Sequence, residues 1–147
     1  MFYISAEQKN DLARIGKKYS LKLILLHGSY ATQTEHVGSD LDIAVLAQKS
    51  FKSREFLDLH SDIAAILGDS ADRELDLKLL NKTDPLFLYH VANHSVLLHG
   101  NQSDYTDFKA HAFAMYMDSK DIRRLERLLI DKYQTHLNQT YGRPRTS

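Results

Sequence analysis

Three short segments fix what this chain can fold into. Residues 21–27, LKLILLH, form a brief run rich in Leu and Ile that ends at a glycine, and read as a buried strand. Residues 40–47, DLDIAVLA, alternate at first, with Asp40 and Asp42 on one face and Leu41 and Ile43 on the other. They then become continuously apolar, as a central strand does. Residues 73–81, RELDLKLLN, alternate throughout: Leu75, Leu77 and Leu79 face one way, and Glu74, Asp76 and Lys78 the other. That is a strand with one wet face.

The intervening segments carry helical signals. Ser5 and Gln8 have capping-box spacing, and Leu12 and Ile15 then fall on one face. Phe56, Leu59, Ile63 and Ile66 or Leu67 keep helical spacing up to a stop at Gly68. Asp84 before Pro85 predicts an N-cap with proline in the first turn. VLLHGN, 96–101, is a short strand or extended link. Residues 103 to about 139 are helical in pattern, with Ile122, Leu125, Leu129 and Tyr133 along one stripe. Such a stripe is most often packed on the body of the domain, and a partner-binding helix is the alternative. The order α-β-α-β-α-β-α-β-α predicts a single α/β (α+β) domain over 1–147. A small mixed sheet flanked by helices fills about 5–100, a long C-terminal helix about 103–139, and a polar tail 140–147.

The chain has 19 basic and 19 acidic residues, so its formal net charge of zero argues against a broad footprint for nucleic acid. It has no cysteine, which excludes disulfide scaffolds, cysteine-ligated zinc and thiol nucleophiles. Its apolar runs are too short to span a membrane. The N-terminal residues lack a secretory pattern, and a cytoplasmic protein is the expectation.

The chemistry concentrates in HGSYATQTEHVGSDLDIAVL, 27–46. Gly28 at a strand end lets the chain turn sharply and lets a ligand approach the backbone. Ser29 can cap a short helix over about 30–34, whose N–H groups suit phosphate. Asp40 and Asp42, at i and i+2 of a strand, put their Cα atoms about 6.5–7 Å apart on one face. Both can reach toward hard cations such as Mg²⁺, which takes oxygen ligands and substrate phosphates. Asp76 lies on the polar face of the later strand. If the two strands are neighbours, a third carboxylate converges there to complete an ion site and accept a proton. Glu74, two residues earlier, is its rival.

Other candidates carry less. His90 and His94 stand at i and i+4 with no third ligand in sight, and His36 lies in the loop before the aspartates. Arg54 and His60 fit the loose spacing of HEPN ribonucleases, but those are all-helical and this chain has strands. Arg143 and Arg145 in the tail are weak candidates for contact with a partner or RNA.

Gly28-Ser29, ten intervening residues, Asp40-Leu41-Asp42 and the later Asp76 together resemble the signature of the DNA polymerase beta-type nucleotidyltransferases. The short length and DPLFLYHVANHSVLLHGN after the third acid resemble the minimal nucleotidyltransferases, MNT, the antitoxin partners of HEPN toxins. The resemblance implies a polymerase-beta-type nucleotidyltransferase fold. It also implies a Mg²⁺-dependent transfer of AMP from ATP to a tyrosine of a cognate HEPN ribonuclease, with a hetero-oligomer as the working assembly. By the same resemblance Gly28 and Ser29 hold the triphosphate, Asp40 and Asp42 bind metal, and Asp76 is the third ligand and candidate base. Many relatives carry arginines just after Gly-Ser, where this chain has Tyr30, Thr32 and Gln33. Lys78 or the metals must then offset the triphosphate charge. An antitoxin that blocks by binding alone and an aminoglycoside-type small-molecule transferase are the alternatives.

Overall fold

The computed structural model describes residues 2–142. The chain runs through α1 (Ala6–Lys18), β1 (Leu21–His27), α2 (Gly28–Thr32), β2 (Leu41–Ala47), α3 (Ser53–Leu67) and β3 (Leu75–Leu79). A single 3₁₀ turn, Leu80–Lys82, leads to α4 (Pro85–Asn93), β4 (Val96–His99), α5 (Gln102–Asp118) and α6 (Lys120–Tyr141). The four strands form one sheet in the order β3-β2-β1-β4. β1 pairs antiparallel with β2 and β4, while β2 and β3 are parallel, so the sheet is mixed as the sequence predicts.

Strand alternation decides which face each helix covers. Ile24, Leu26, Leu41, Ile43, Val45, Leu75 and Leu77 point to one face and pack with Leu12 of α1 and Leu59 and Ile63 of α3. Leu23, Leu25 and Ala44 point to the other and pack with Leu88 and Val91 of α4 and Tyr105 and Phe108 of α5. Asp42, Asp76 and Lys78 share the parity of that second face.

The predicted caps form. Ser5 Oγ accepts from the Gln8 N–H at 3.1 Å, and the Ser5 N–H donates to Gln8 Oε1 at 3.0 Å. Gln8 Nε2 then donates to the Ile66 carbonyl, tying α1 to α3. Asp84 accepts from the Phe87 N–H at 3.0 Å, with Pro85 in the first turn of α4. Gly68 ends α3 with a φ of 92°. Asn81 finishes the sheet: its amide accepts from the Ala47 N–H at 2.9 Å and donates to the Ala47 carbonyl at 2.7 Å. Asn81→Ala strips both bonds from the last residue of β2. The expected cost is about 1–2 kcal/mol, read as a lower urea midpoint with an unchanged slope.

Two expectations need correction. The helical stretch over 103–139 is two helices that meet at Ser119, and the second runs on to Tyr141. The C-terminal stripe does not pack on the body. Ile122, Leu125, Leu129 and Tyr133 are between 57% and 64% exposed, and α6 has no buried residue. The reason lies in where α6 is anchored. After Ser119 the chain is held to α5 at the start of α6, where the Arg123 guanidinium lies 3.7 Å from the Tyr116 ring centroid and donates to the Tyr116 carbonyl. Tyr116 in turn stacks on Tyr89 of α4 at 3.9 Å. Of the predicted tail, Arg143 and Arg145 lie outside the described residues. No helix among the described residues is long and apolar enough to cross a membrane.

Candidate active site

The site is built from one row across the sheet. His27 at the end of β1 pairs with Asp42 of β2, and Asp42 pairs with Asp76 of β3. Neighbouring strands lie about 4.8 Å apart, so the two carboxylates share a face at close range. Lys78 sits one row further along, opposite Ala44, and its Nζ lies 3.4 Å from Asp76 Oδ1. Glu74 precedes β3, is exposed, and offers its carbonyl to the Leu41 N–H at 2.8 Å. The register thus aligns Asp76, rather than Glu74, with Asp42.

Gly28 closes the other side. Its φ is +71°, a region that L side chains rarely adopt, and a Cβ there would land on the Asp42 carboxylate. The bare backbone of the turn therefore lies directly against the central acid. The helix starts earlier than predicted: α2 is Gly28–Thr32, His27 is its N-cap without a side-chain cap bond, and Ser29 lies inside the first turn. Thr32 Oγ1 donates back to the Gly28 and Ser29 carbonyls at 3.3 Å each. A turn over 36–39 then returns the chain to β2, held by Ser39 N–H to the His36 carbonyl and by the His36 N–H to Ser39 Oγ. Asp40 follows this turn and is exposed, just ahead of β2.

Electrostatics couple the acids to one another. Burial pushes the Asp42 carboxyl up, and the charges of Asp76 and then Asp40 push it further, while Lys78 opposes them. A half-buried carboxylate pressed by two like charges is relieved by a cation. Gly28, Asp42, Asp76 and Lys78 are brought together, with Ser29 and Asp40 at the rim. Among the described residues no three His, Asp or Glu side chains already form a ready ion cage. The donor set nonetheless suits Mg²⁺: all-oxygen carboxylates beside an open backbone turn that a phosphate can approach.

The remaining candidates do not join the acids, although the charge of His90 reaches His27. His60 Nε2 meets the Leu75 carbonyl at 3.1 Å, a link from α3 to β3, and Arg54 is exposed. His90 and His94 form an exposed pair, their ring centroids 5.1 Å apart. His36 is an exposed loop residue with Nδ1 3.0 Å from the Val37 carbonyl.

Sequence reasoning missed His27. It is only 6% exposed, packs edge-on against Phe87 at 5.6 Å, and its Nε2 finds no hydrogen-bond partner among the described residues. A polar residue closing an apolar strand just before Gly-Ser was the available signal. Burial pushes its pKa down to about 4; Asp76 pulls it up, and His90 and Lys78 add to the lowering. Between pH 4 and 6.5 the unfolded chain therefore binds a proton that the folded chain does not, and stability is lost as pH falls through that window. His27→Leu should flatten this part of the stability curve, by up to about 1.4 kcal/mol per pH unit, in denaturant titrations from pH 4 to 7.

A row of carboxylates beside a bare backbone turn, on a mixed sheet of this order, is an arrangement suited to nucleotidyl transfer. Residues 10–104 match the polymerase beta nucleotidyltransferase family, and the chain belongs to it. Among particular proteins, it is similar to the protein adenylyltransferase MntA of Shewanella oneidensis, with 33% identity over 96 residues. That alignment covers 65% of this chain and 66% of MntA, just under two thirds of the relative. A solved toxin–antitoxin structure with AMP-PNP contains a similar chain, with a TM-score of 0.67 and 27% identity, covering 86% of this chain and 98% of that one. Another neighbour comes from a tri-AMPylated Shewanella oneidensis HEPN toxin in complex with MNT antitoxin. It has a TM-score of 0.63 and 25% identity, covering 87% of this chain and 97% of that one.

Proposed function

We propose that this chain is the MNT antitoxin of a HEPN/MNT pair and silences its toxin by AMP transfer from ATP to a toxin tyrosine. The observation that carries the reading is the register of Asp42 with Asp76 against the bare backbone of Gly28. Gly28 and Ser29 would receive the triphosphate, and Lys78, beside Asp76 on β3, would supply positive charge in place of the arginines that relatives carry after Gly-Ser. Asp40, Asp42 and Asp76 would hold Mg²⁺, which offsets the charge of the triphosphate and of the reacting oxygens. The tyrosine oxygen attacks the α-phosphorus, the bond to the bridging oxygen breaks, and pyrophosphate leaves. The phenol proton passes to Asp76, the acid on the outer strand of the row. The cytoplasm is the expected compartment, because ATP and a ribonuclease toxin meet there.

A second reading has its own support. The exposed apolar face of α6 is the kind of surface that a protein partner covers, so binding alone could occlude the toxin. Incubating the protein with ATP, Mg²⁺ and its cognate toxin, followed by intact mass spectrometry of the toxin, separates the readings. A mass gain in AMP units is expected. A tight complex without mass gain would favour blocking by binding, and no interaction would favour a small-molecule acceptor.

A further inference from the structure

We propose that His27 is a positioning residue of this site, its buried Nε2 steadying the carboxylate of Asp42 when nucleotide and cation bind. The inference rests on the nucleotidyl-transfer reading and adds to it a residue outside the Gly-Ser and carboxylate signature.

His27 occupies a place where a leucine would pack more cheaply. It shares its strand face with Leu23 and Leu25, both buried. A buried polar nitrogen without a partner is a standing cost to the fold. The ring does not recover that cost by capping α2, since no side-chain cap bond forms. Phe87 packs against one side of the ring with its plane at 85°, which limits how far the imidazole can turn. Directly across the strand pair is Asp42. Cross-strand partners hold their Cβ atoms about 4.5–5.5 Å apart, so a rotamer adjustment brings an imidazole nitrogen within reach of that carboxylate.

The chemistry suits the task. A neutral imidazole donates one N–H without adding a positive charge that would compete with a cation. Asp42 has two oxygens, and a hydrogen bond to one leaves the other aimed outward. Hydrogen bonds of this kind orient ligating carboxylates in metal sites generally. Lys78 already sets an ammonium 3.4 Å from Asp76, so the ring brings the row a further donor without a second fixed cation.

The test compares wild type with His27→Leu and His27→Gln. Calorimetric titration with AMP-PNP and Mg²⁺ should show binding weakened about 10-fold or more in the Leu variant. The Gln variant, whose amide can reach where Nε2 stands, should bind within about threefold of wild type by the same logic. The Leu variant should melt at pH 7 no lower than wild type, and should lose kcat for AMP transfer while keeping its KM for the toxin. Unchanged AMP-PNP binding and kcat in the Leu variant would overturn the assignment. So would a fall in melting temperature parallel to the loss, or a Gln variant as impaired as Leu. If wild type itself failed to bind AMP-PNP with Mg²⁺, the nucleotidyl-transfer reading would fall, and His27's role with it. Normal wild-type binding with an unaffected Leu variant removes His27 alone.

Discussion

Asp42→Asn is expected to lower AMP transfer about 1,000-fold or more while the protein melts at the same temperature or higher. Asp42 has two carboxylate neighbours, Asp76 across the strand pair and Asp40 two residues before it in sequence. In the proposed mechanism its removal would take a ligand from the ion site, and about 4 kcal/mol of lost transition-state stabilisation corresponds to that factor. The stability effect has the opposite sign. Burial and the two neighbouring charges raise the Asp42 pKa, so the folded state holds the ionised form at a penalty that grows as pH rises through the shifted value. Asn is uncharged and nearly the same shape, and it removes the penalty. Single-turnover transfer assays and melting curves at pH 7 read both effects from one preparation. A variant that lost activity and stability together would place Asp42 in the scaffold rather than in the chemistry.

Gly28→Ala should damage both fold and site. The backbone at Gly28 has a φ of +71°, and forcing an L side chain into that region costs about 1–2 kcal/mol. The added methyl would also press on the Asp42 carboxylate, which must move or push the turn away. Either response opens the gap between the Gly28 backbone, the proposed phosphate seat, and the acids. Transfer should fall about 100-fold, because a displacement on the order of 1 Å at a reacting centre is worth that much. The melting temperature should drop by roughly 2–8 °C, as the strain energy implies for a domain of this size. Gly38→Ala is the matched control: its φ is +86°, but a Cβ there meets nothing within 4 Å. It should cost stability and leave transfer largely intact. Comparing the two separates backbone strain from the collision with Asp42.

Much of this site is legible in the amino-acid sequence, and the reason is periodicity. Leu75, Leu77 and Leu79 declare one face of β3, which places Asp76 and Lys78 together on the other. Asp40 and Asp42 announce themselves at the head of an apolar strand in the same way. Ser5 with Gln8, and Asp84 with Pro85, mark two helix starts through local bonds that need no tertiary information. What local pattern does not encode is register. Whether Asp76 or Glu74 stands beside Asp42 depends on the parallel pairing of β2 with β3, a long-range fact. His27 is hidden for a related reason: its significance lies in what stands across the strand, not in its own neighbours along the chain. The exposed face of α6 shows another limit. A stripe of Ile122, Leu125, Leu129 and Tyr133 says that the helix has something to cover, and only its exposure in the fold shows that the described body of this chain is not what covers it.

The most direct measurement is a crystal structure of the protein grown with AMP-PNP and Mn²⁺, read by the anomalous signal of the metal. The expected result is anomalous density at coordinating distance, about 2.0–2.3 Å, from oxygens of Asp40, Asp42 and Asp76, with the phosphates lying against Gly28 and Ser29. Metal held elsewhere, or a triphosphate bound away from the Gly28 turn, would contradict it.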